Sequence, residues 1–186
     1  MQILTDEIKR LAHASDHEIQ EIFETLSLKK LGKSQFLQNR GQVCRNYYFV
    51  DKGALRIYHE KGRKDFTVWI ATEGQIFTDL DSYLYEKPSV IYIQAIEESR
   101  VFTISKLVSD QLARKLPAYN TLLRRTVEEA FASMSRNVIS FQSEEATERY
   151  ERLEEEKNWL LRFPLKYISS FLGITPSSLS RLRARR

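Results

Sequence analysis

The densest chemistry in this sequence lies in the segment KYISSFLGITPSSLSRLRARR, residues 166 to 186. Arg181, Arg183, Arg185 and Arg186 fall within its last six positions. No acid occurs from Leu161 onward, while Arg162 and Lys166 add to the basic side. Upstream the balance reverses: between Glu144 and Lys157 seven glutamates stand against Arg149, Arg152 and Lys157. Guanidinium and ammonium groups without carboxylate partners suit phosphate oxygens and the acceptor edges of bases. A solvated basic tail would have the same composition, so spacing has to discriminate.

The spacing predicts two short helices. Tyr167, Ile168, Phe171 and Leu172 give the first a buried face after Pro164, and Gly173 supplies the left-handed stop. Thr175 is placed to cap the second, with Pro176 at its first position, where a missing N–H costs nothing. Leu179 and Leu182 face inward, and Ser169 is small where two helices must approach. Thr175, Ser177, Ser178, Ser180, Arg181, Arg183, Arg185 and Arg186, together with Lys166, are the candidate DNA-contacting residues. The pattern is a helix-turn-helix, whose second helix enters the major groove.

Other chemistries are weakly represented. Asp79 and Asp81 could be read as paired catalytic carboxylates, but a polar rim on a vacant pocket fits them better. Cys44 is the only cysteine, so no internal disulfide forms and no four-thiolate cluster can be held. His13, His17 and His59 are scattered. No metal spacing, phosphate-cradling glycine loop or nucleophile–base signature is found, so an enzyme is not expected and no metal or cofactor is assigned. Of the 186 residues, 42% are hydrophobic and 29% charged, an ordinary globular balance. No apolar run approaches the roughly 20 residues of a membrane span, and the N-terminus lacks a secretion signal. A cytoplasmic protein with no membrane contact is the expectation.

The elements that must position these groups follow from periodicity. Ser15 and Glu18 form a capping-box pair ahead of a helix burying Ile19, Ile22, Phe23 and Leu26. From about residue 32 to 105 the chain is β-rich, with Phe66, Val68 and Ile70 alternating with Thr67, Trp69 and Ala71. Turns fall at Asp51-Lys52-Gly53 and Lys61-Gly62, and two strands flank Glu97-Glu98-Ser99; an antiparallel barrel or roll is expected. Leu116, Tyr119, Leu123, Val127, Ala130, Met134, Val138 and Phe141 then recur every three or four residues. That stripe needs a partner: the protein's own β-domain, the same helix of a second subunit, or an ordinary core. Phe131 and Ile139 lie off it and supply a second face. Beyond it, SEEATERYERLEEEKNWLLRFP reads as a helix with acids at its dipole-favoured start and Tyr150, Leu153, Leu160 and Leu161 as contacts.

Together YYFVDKGALRIY, EGQIFTDLDSYL, IQAIEESRVFTIS, ERYERL and KYISSFLGITPSSLSRLR resemble the CRP/FNR superfamily of transcription regulators, nearly end to end. The close resembles the short-tailed regulators of one bacterial branch, which lack a wing after the recognition helix. The resemblance implies an α+β chain: an N-terminal antiparallel β-roll (a double-stranded β-helix like the cyclic-nucleotide-binding domain) with flanking helices, a long dimerisation helix and a C-terminal helix-turn-helix domain. The expected bounds are 1–115, 116–142 and 143–186. Implied partners are a palindromic double-stranded DNA operator, a second copy of the chain and RNA polymerase. Tyr119, Leu123, Val127, Ala130, Met134, Val138 and Phe141 become the expected dimerisation residues. The alternative is a ligand-binding or protein-interaction module that no longer reads DNA.

Residue by residue the carry-over is partial. The family's later base-reading arginine matches Arg181, but its first-turn Arg-Glu pair falls on Pro176 and Ser177. The glutamate that holds the ribose of a cyclic nucleotide falls at or near Asp79, and the phosphate-holding Arg-Ser pair falls on Ser89-Val90. Lys87 is out of register. Thr78, Asp79, Asp81, Ser89, Val90 and Tyr92 are thus a candidate effector pocket, with Tyr92 or Trp69 as apolar walls. Without the arginine, and with two carboxylates nearby, cyclic AMP is not expected to bind.

Overall fold

The computed structural model describes residues 1–62, 64–156 and 158–184. The elements run α1 (Gln2–Ala12), α2 (Asp16–Glu24), β1 (Ser27–Leu31), β2 (Phe36–Gln38), β3 (Asn46–Lys52), β4 (Leu55–Lys61), β5 (Lys64–Ala71), β6 (Ile76–Phe77), α3 (Leu80–Tyr85), β7 (Ile91–Ala95), β8 (Ser99–Ser105), α4 (Lys106–Lys115), α5 (Pro117–Ser143), α6 (Ala146–Glu156), α7 (Trp159–Arg162), α8 (Leu165–Leu172) and α9 (Pro176–Ala184). Two four-stranded sheets form, ordered β1-β8-β3-β6 and β2-β7-β4-β5. The paired strands β1–β8, β3–β8, β3–β6 and β2–β7 are all antiparallel. This is the expected α+β roll. It starts earlier than expected, because Ser27–Leu31 pairs with Ser99–Thr103 despite an almost wholly exposed side-chain pattern.

Two compact units emerge: residues 1–57 with 70–130, and residues 58–69 with 131–186. The division differs from the expected bounds, cutting α5 after Ala130 and giving the β4–β5 tip to the C-terminal unit. In the first unit α1 and α2 pack Leu4, Ile8, Leu11, Ile19 and Ile22 into one cluster with Tyr47, Phe49 and Ile104. The Ser15–Glu18 capping box is present: the Glu18 N–H donates to Ser15 Oγ and the Ser15 N–H donates to Glu18 Oε2.

The same cluster absorbs the start of α5, with Leu116, Tyr119 and Leu122 buried and Leu123 half-buried against it. Tyr119 is therefore corrected from a dimer contact to a core residue. Its hydroxyl shares a 2.9 Å hydrogen bond with Ser109, and burial pushes its ionisation well above the ordinary tyrosine range. The stripe changes surroundings along the helix, a change that periodicity alone does not show.

In the second unit the phase of β5 emerges: Thr67 is buried while Phe66 and Val68 are each 48% exposed. β5 is an edge strand, and α8 covers part of that edge. The Thr67 N–H donates to Ser170 Oγ at 2.9 Å, and the Ser170 hydroxyl donates to the Asp65 carbonyl at 2.8 Å. One serine thereby takes up an open donor and an open acceptor of the strand. The segment read as one helix is two, α6 and α7. Leu160 is buried in α7, whereas Leu161 is 82% exposed and makes no core contact. Among the described residues no helix is long and apolar enough to cross a membrane, and no group of three potential ligands could hold a metal.

Candidate nucleic-acid interface

α8 starts where Pro164 fixes the backbone and ends at Gly173, whose φ of 72° is left-handed. The Gly173 N–H donates to the Ser170 carbonyl and the Ile174 N–H to that of Ser169, closing the helix end. Glycine is required twice here. Besides the positive φ, a Cβ would stand 3.0 Å from the ring of Phe141. Ser169 is 1% exposed, as expected of a small residue at a close approach.

Thr175 caps α9, accepting from the Ser178 N–H at 3.1 Å. Its hydroxyl also lies 2.9 Å from Ser177 Oγ and 3.0 Å from Ser178 Oγ. Arg181 Nη2 donates to Ser178 Oγ at 3.3 Å, so the arginine lies back along its own helix toward the N-terminus. Leu179 is fully buried and Leu182 half-buried. Thr175, Ser177, Ser180, Arg181 and Arg183 are exposed, Ser178 half-buried, and Lys166 exposed on α8 with its ammonium 4.8 Å from the Tyr167 ring. Arg185 and Arg186 lie outside the described residues.

What holds this pair of helices was not evident from sequence. Arg149 of α6 donates to the Leu172 carbonyl from Nε and Nη2 and to the Glu144 carbonyl from Nη1, with its guanidinium 5.0 Å from the Phe141 ring centroid. Trp159 packs edge-on against Phe171, whose ring also meets Trp69 at 6.5 Å. Trp69 therefore belongs to this aromatic cluster. Only the acid-rich surroundings of Arg149 drew attention to it, and nothing in the local sequence pairs it with Leu172.

The candidate effector-pocket residues lie in the first unit. Asp79 is the N-cap of α3, is 9% exposed, and accepts from Gln38 Nε2 at 3.1 Å. Asp81 is paired with Lys87 at 2.8 Å. The Ser89 hydroxyl donates to the Ile91 carbonyl and accepts the Ile91 N–H, a local turn. Thr78 donates to the Asn46 carbonyl at 2.8 Å. Val90 is 55% exposed, and Tyr92 rests 5.7 Å from Phe36. Their polar atoms are thus largely committed to the fold. Around them runs a buried chain not evident from sequence. Tyr48 donates to Gln38 Oε1, while the Cys44 sulfur lies 3.8 Å from the Tyr48 hydroxyl and 3.4 Å from Thr78 Oγ1. Burial, then the neighbouring Cys44, drives the Tyr48 ionisation far upward, so the phenol stays neutral.

The expected dimerisation residues divide. Past Leu123, Val127 is half-buried and Ala130 exposed, while Met134, Val138 and Phe141 are exposed at 57%, 54% and 50%. The off-stripe Phe131 and Ile139 are also exposed, leaving the second half of α5 apolar and largely uncovered within one chain.

Residues 28–115 match the family model of the cyclic nucleotide-binding domain. No curated protein matches the chain in sequence. Among solved structures, a CooA mutant from Carboxydothermus hydrogenoformans superposes with a TM-score of 0.73 at 16% identity, covering 89% of this chain and 78% of that one. CLP of Xanthomonas campestris, described as a c-di-GMP responsive global regulator, gives 0.73 at 12%, covering 92% and 91%. The catabolite activator protein of Thermus thermophilus gives 0.61 at 17%, covering 96% and 85%. The chain thus has a cyclic-nucleotide-binding-domain match over residues 28–115 and shares its fold with these solved structures.

Proposed function

We propose that this chain is a homodimeric DNA-binding transcription regulator in which α9 enters the major groove and the exposed half of α5 pairs with its copy. The observation that carries the reading is the α8–Gly173–α9 unit: a capped helix whose inward leucine is fully buried and whose exposed polar side chains are hydroxyls and arginines, with no acid. At the start of α9 Pro176 has no N–H and the Ser178 N–H is taken by Thr175, so the exposed hydroxyls and arginines are left to meet DNA, with Arg181 reaching base edges from the next turn. Lys166, Arg183, Arg185 and Arg186 are assigned to phosphates. The exposed apolar side of α5 supports dimerisation, because helix-turn-helix readers bind half-sites about 34 Å apart.

The first unit is assigned a framework role, with any effector other than cyclic AMP. The positions that would hold the cyclic phosphate carry Ser89 and Val90, and Lys87, close by in sequence, is paired with Asp81. Fluorescence anisotropy on labelled random duplexes tests the reading. Binding should weaken steeply with rising salt, as phosphate neutralisation requires. Absence of DNA binding at low salt would refute it.

A further inference from the structure

The second unit holds a cleft of about 430 Å³ that DNA reading does not use. α5 lines it with Ser133, Arg136 and Asn137, and α6 with Arg149 and Arg152. Trp69, Phe141 and Phe171 supply aromatic surface. The volume is that of a small-molecule site. Three guanidinium groups face one carboxylate, Glu144, leaving a net charge of +2. The three guanidinium groups are not equivalent. Arg149 is spent on backbone carbonyls, and Arg152 on Glu144 and Ser140. Both therefore supply field rather than open donors. Arg136 and Asn137 have no partner among the described residues and face the cleft with donors to spare.

We infer that this cleft binds a planar organic phosphate monoester of nucleotide size, its ring against Trp69 and Phe171 and its phosphate on Arg136 and Asn137. A phosphate monoester carries a charge of about −1.5 to −2 near neutrality, which matches the cleft. Arginine pairs with it bidentately. A flat ring gains from the aromatic wall what a free anion cannot.

The test is calorimetric titration of the full chain with AMP, phenyl phosphate, adenosine and inorganic phosphate, alongside tryptophan fluorescence. AMP and phenyl phosphate should bind saturably, each at least about tenfold tighter than adenosine or inorganic phosphate. Arg136→Ala, a substitution compatible with an exposed helix, should weaken AMP about tenfold or more and leave adenosine unchanged. Trp69→Phe should remove most of the fluorescence response. Asp81→Ala, in the other unit, should change nothing. No saturable binding up to millimolar AMP would overturn the inference, since Arg136 then only meets solvent. So would AMP binding indifferent to Arg136→Ala, or binding altered by Asp81→Ala, which would move the ligand to the β-roll.

Discussion

Arg149 clasps the Leu172 carbonyl through Nε and Nη2, at 3.3 and 3.2 Å, one residue before the turn that aims α9. A helix leaves its last carbonyls without internal partners, and a charged donor on one of them fixes the helix end. Arg149→Ala should cost about 1–3 kcal/mol of stability by leaving buried carbonyl oxygens without their donor. Under the proposed function it should also weaken DNA binding although Arg149 is not assigned to DNA. Denaturant melts and anisotropy titrations on the same variant read both effects, and an unchanged melt would remove Arg149 from this role.

Gly173→Ala meets two obstacles, the left-handed φ and the Phe141 ring 3.0 Å from the new Cβ. A loss of about 1–2 kcal/mol is expected. Adding Phe141→Leu should recover part of it, the part due to crowding, while the φ penalty stays. Additive losses in the double variant would mean that the ring contact contributes nothing.

Much of this C-terminal unit was legible in sequence because its signals are local. Gly173, the Thr175 cap and Pro176 act within a turn of one another. The capping box at Ser15 and the turns at Gly53 and Gly62 were legible for the same reason. Long-range partners were not. Ser170 on the β5 edge and Arg149 on Leu172 join residues 103 and 23 positions apart, and neither leaves a periodicity. Tyr119 shows the opposite failure: its spacing is correct for the α5 stripe, but what covers that stripe changes along the helix. Asp79 was placed by resemblance to a ligand-holding position, whereas its carboxylate is used by Ser82 and Gln38.

The two halves of α5 should respond differently to charge. Met134→Glu or Val138→Glu, at exposed sites, should leave the fold intact and shift the proposed dimer to monomer in sedimentation at micromolar concentration. Tyr119→Glu should instead unfold the first unit, since it buries an unpaired charge. Monomer in the unsubstituted protein would contradict the dimer.

Thr126 is 8% exposed, and its hydroxyl has no hydrogen-bond partner among the described residues. A buried hydroxyl without a partner costs its desolvation. Thr126→Val keeps the shape and a similar helix propensity, and should raise stability by about 1 kcal/mol. A lower thermal midpoint would show that the hydroxyl is satisfied in solution.

Cyclic AMP should bind at least about a hundredfold more weakly than to a pocket holding the Arg–phosphate pair, from the loss of two charge-assisted hydrogen bonds. Calorimetry with Ser89→Arg beside the unsubstituted chain is informative. Tight binding without the substitution would mean that another group replaces the arginine.

The proposed reading of DNA is tested most directly by selecting bound fragments from a random duplex pool, with the unsubstituted chain and with Arg181→Ala. An enriched palindrome whose half-sites lie one helical turn apart is expected. With Arg181→Ala, preference should relax at one base pair per half-site, at a cost of about 1–3 kcal/mol. A pool that stays random after selection with the unsubstituted chain would contradict it.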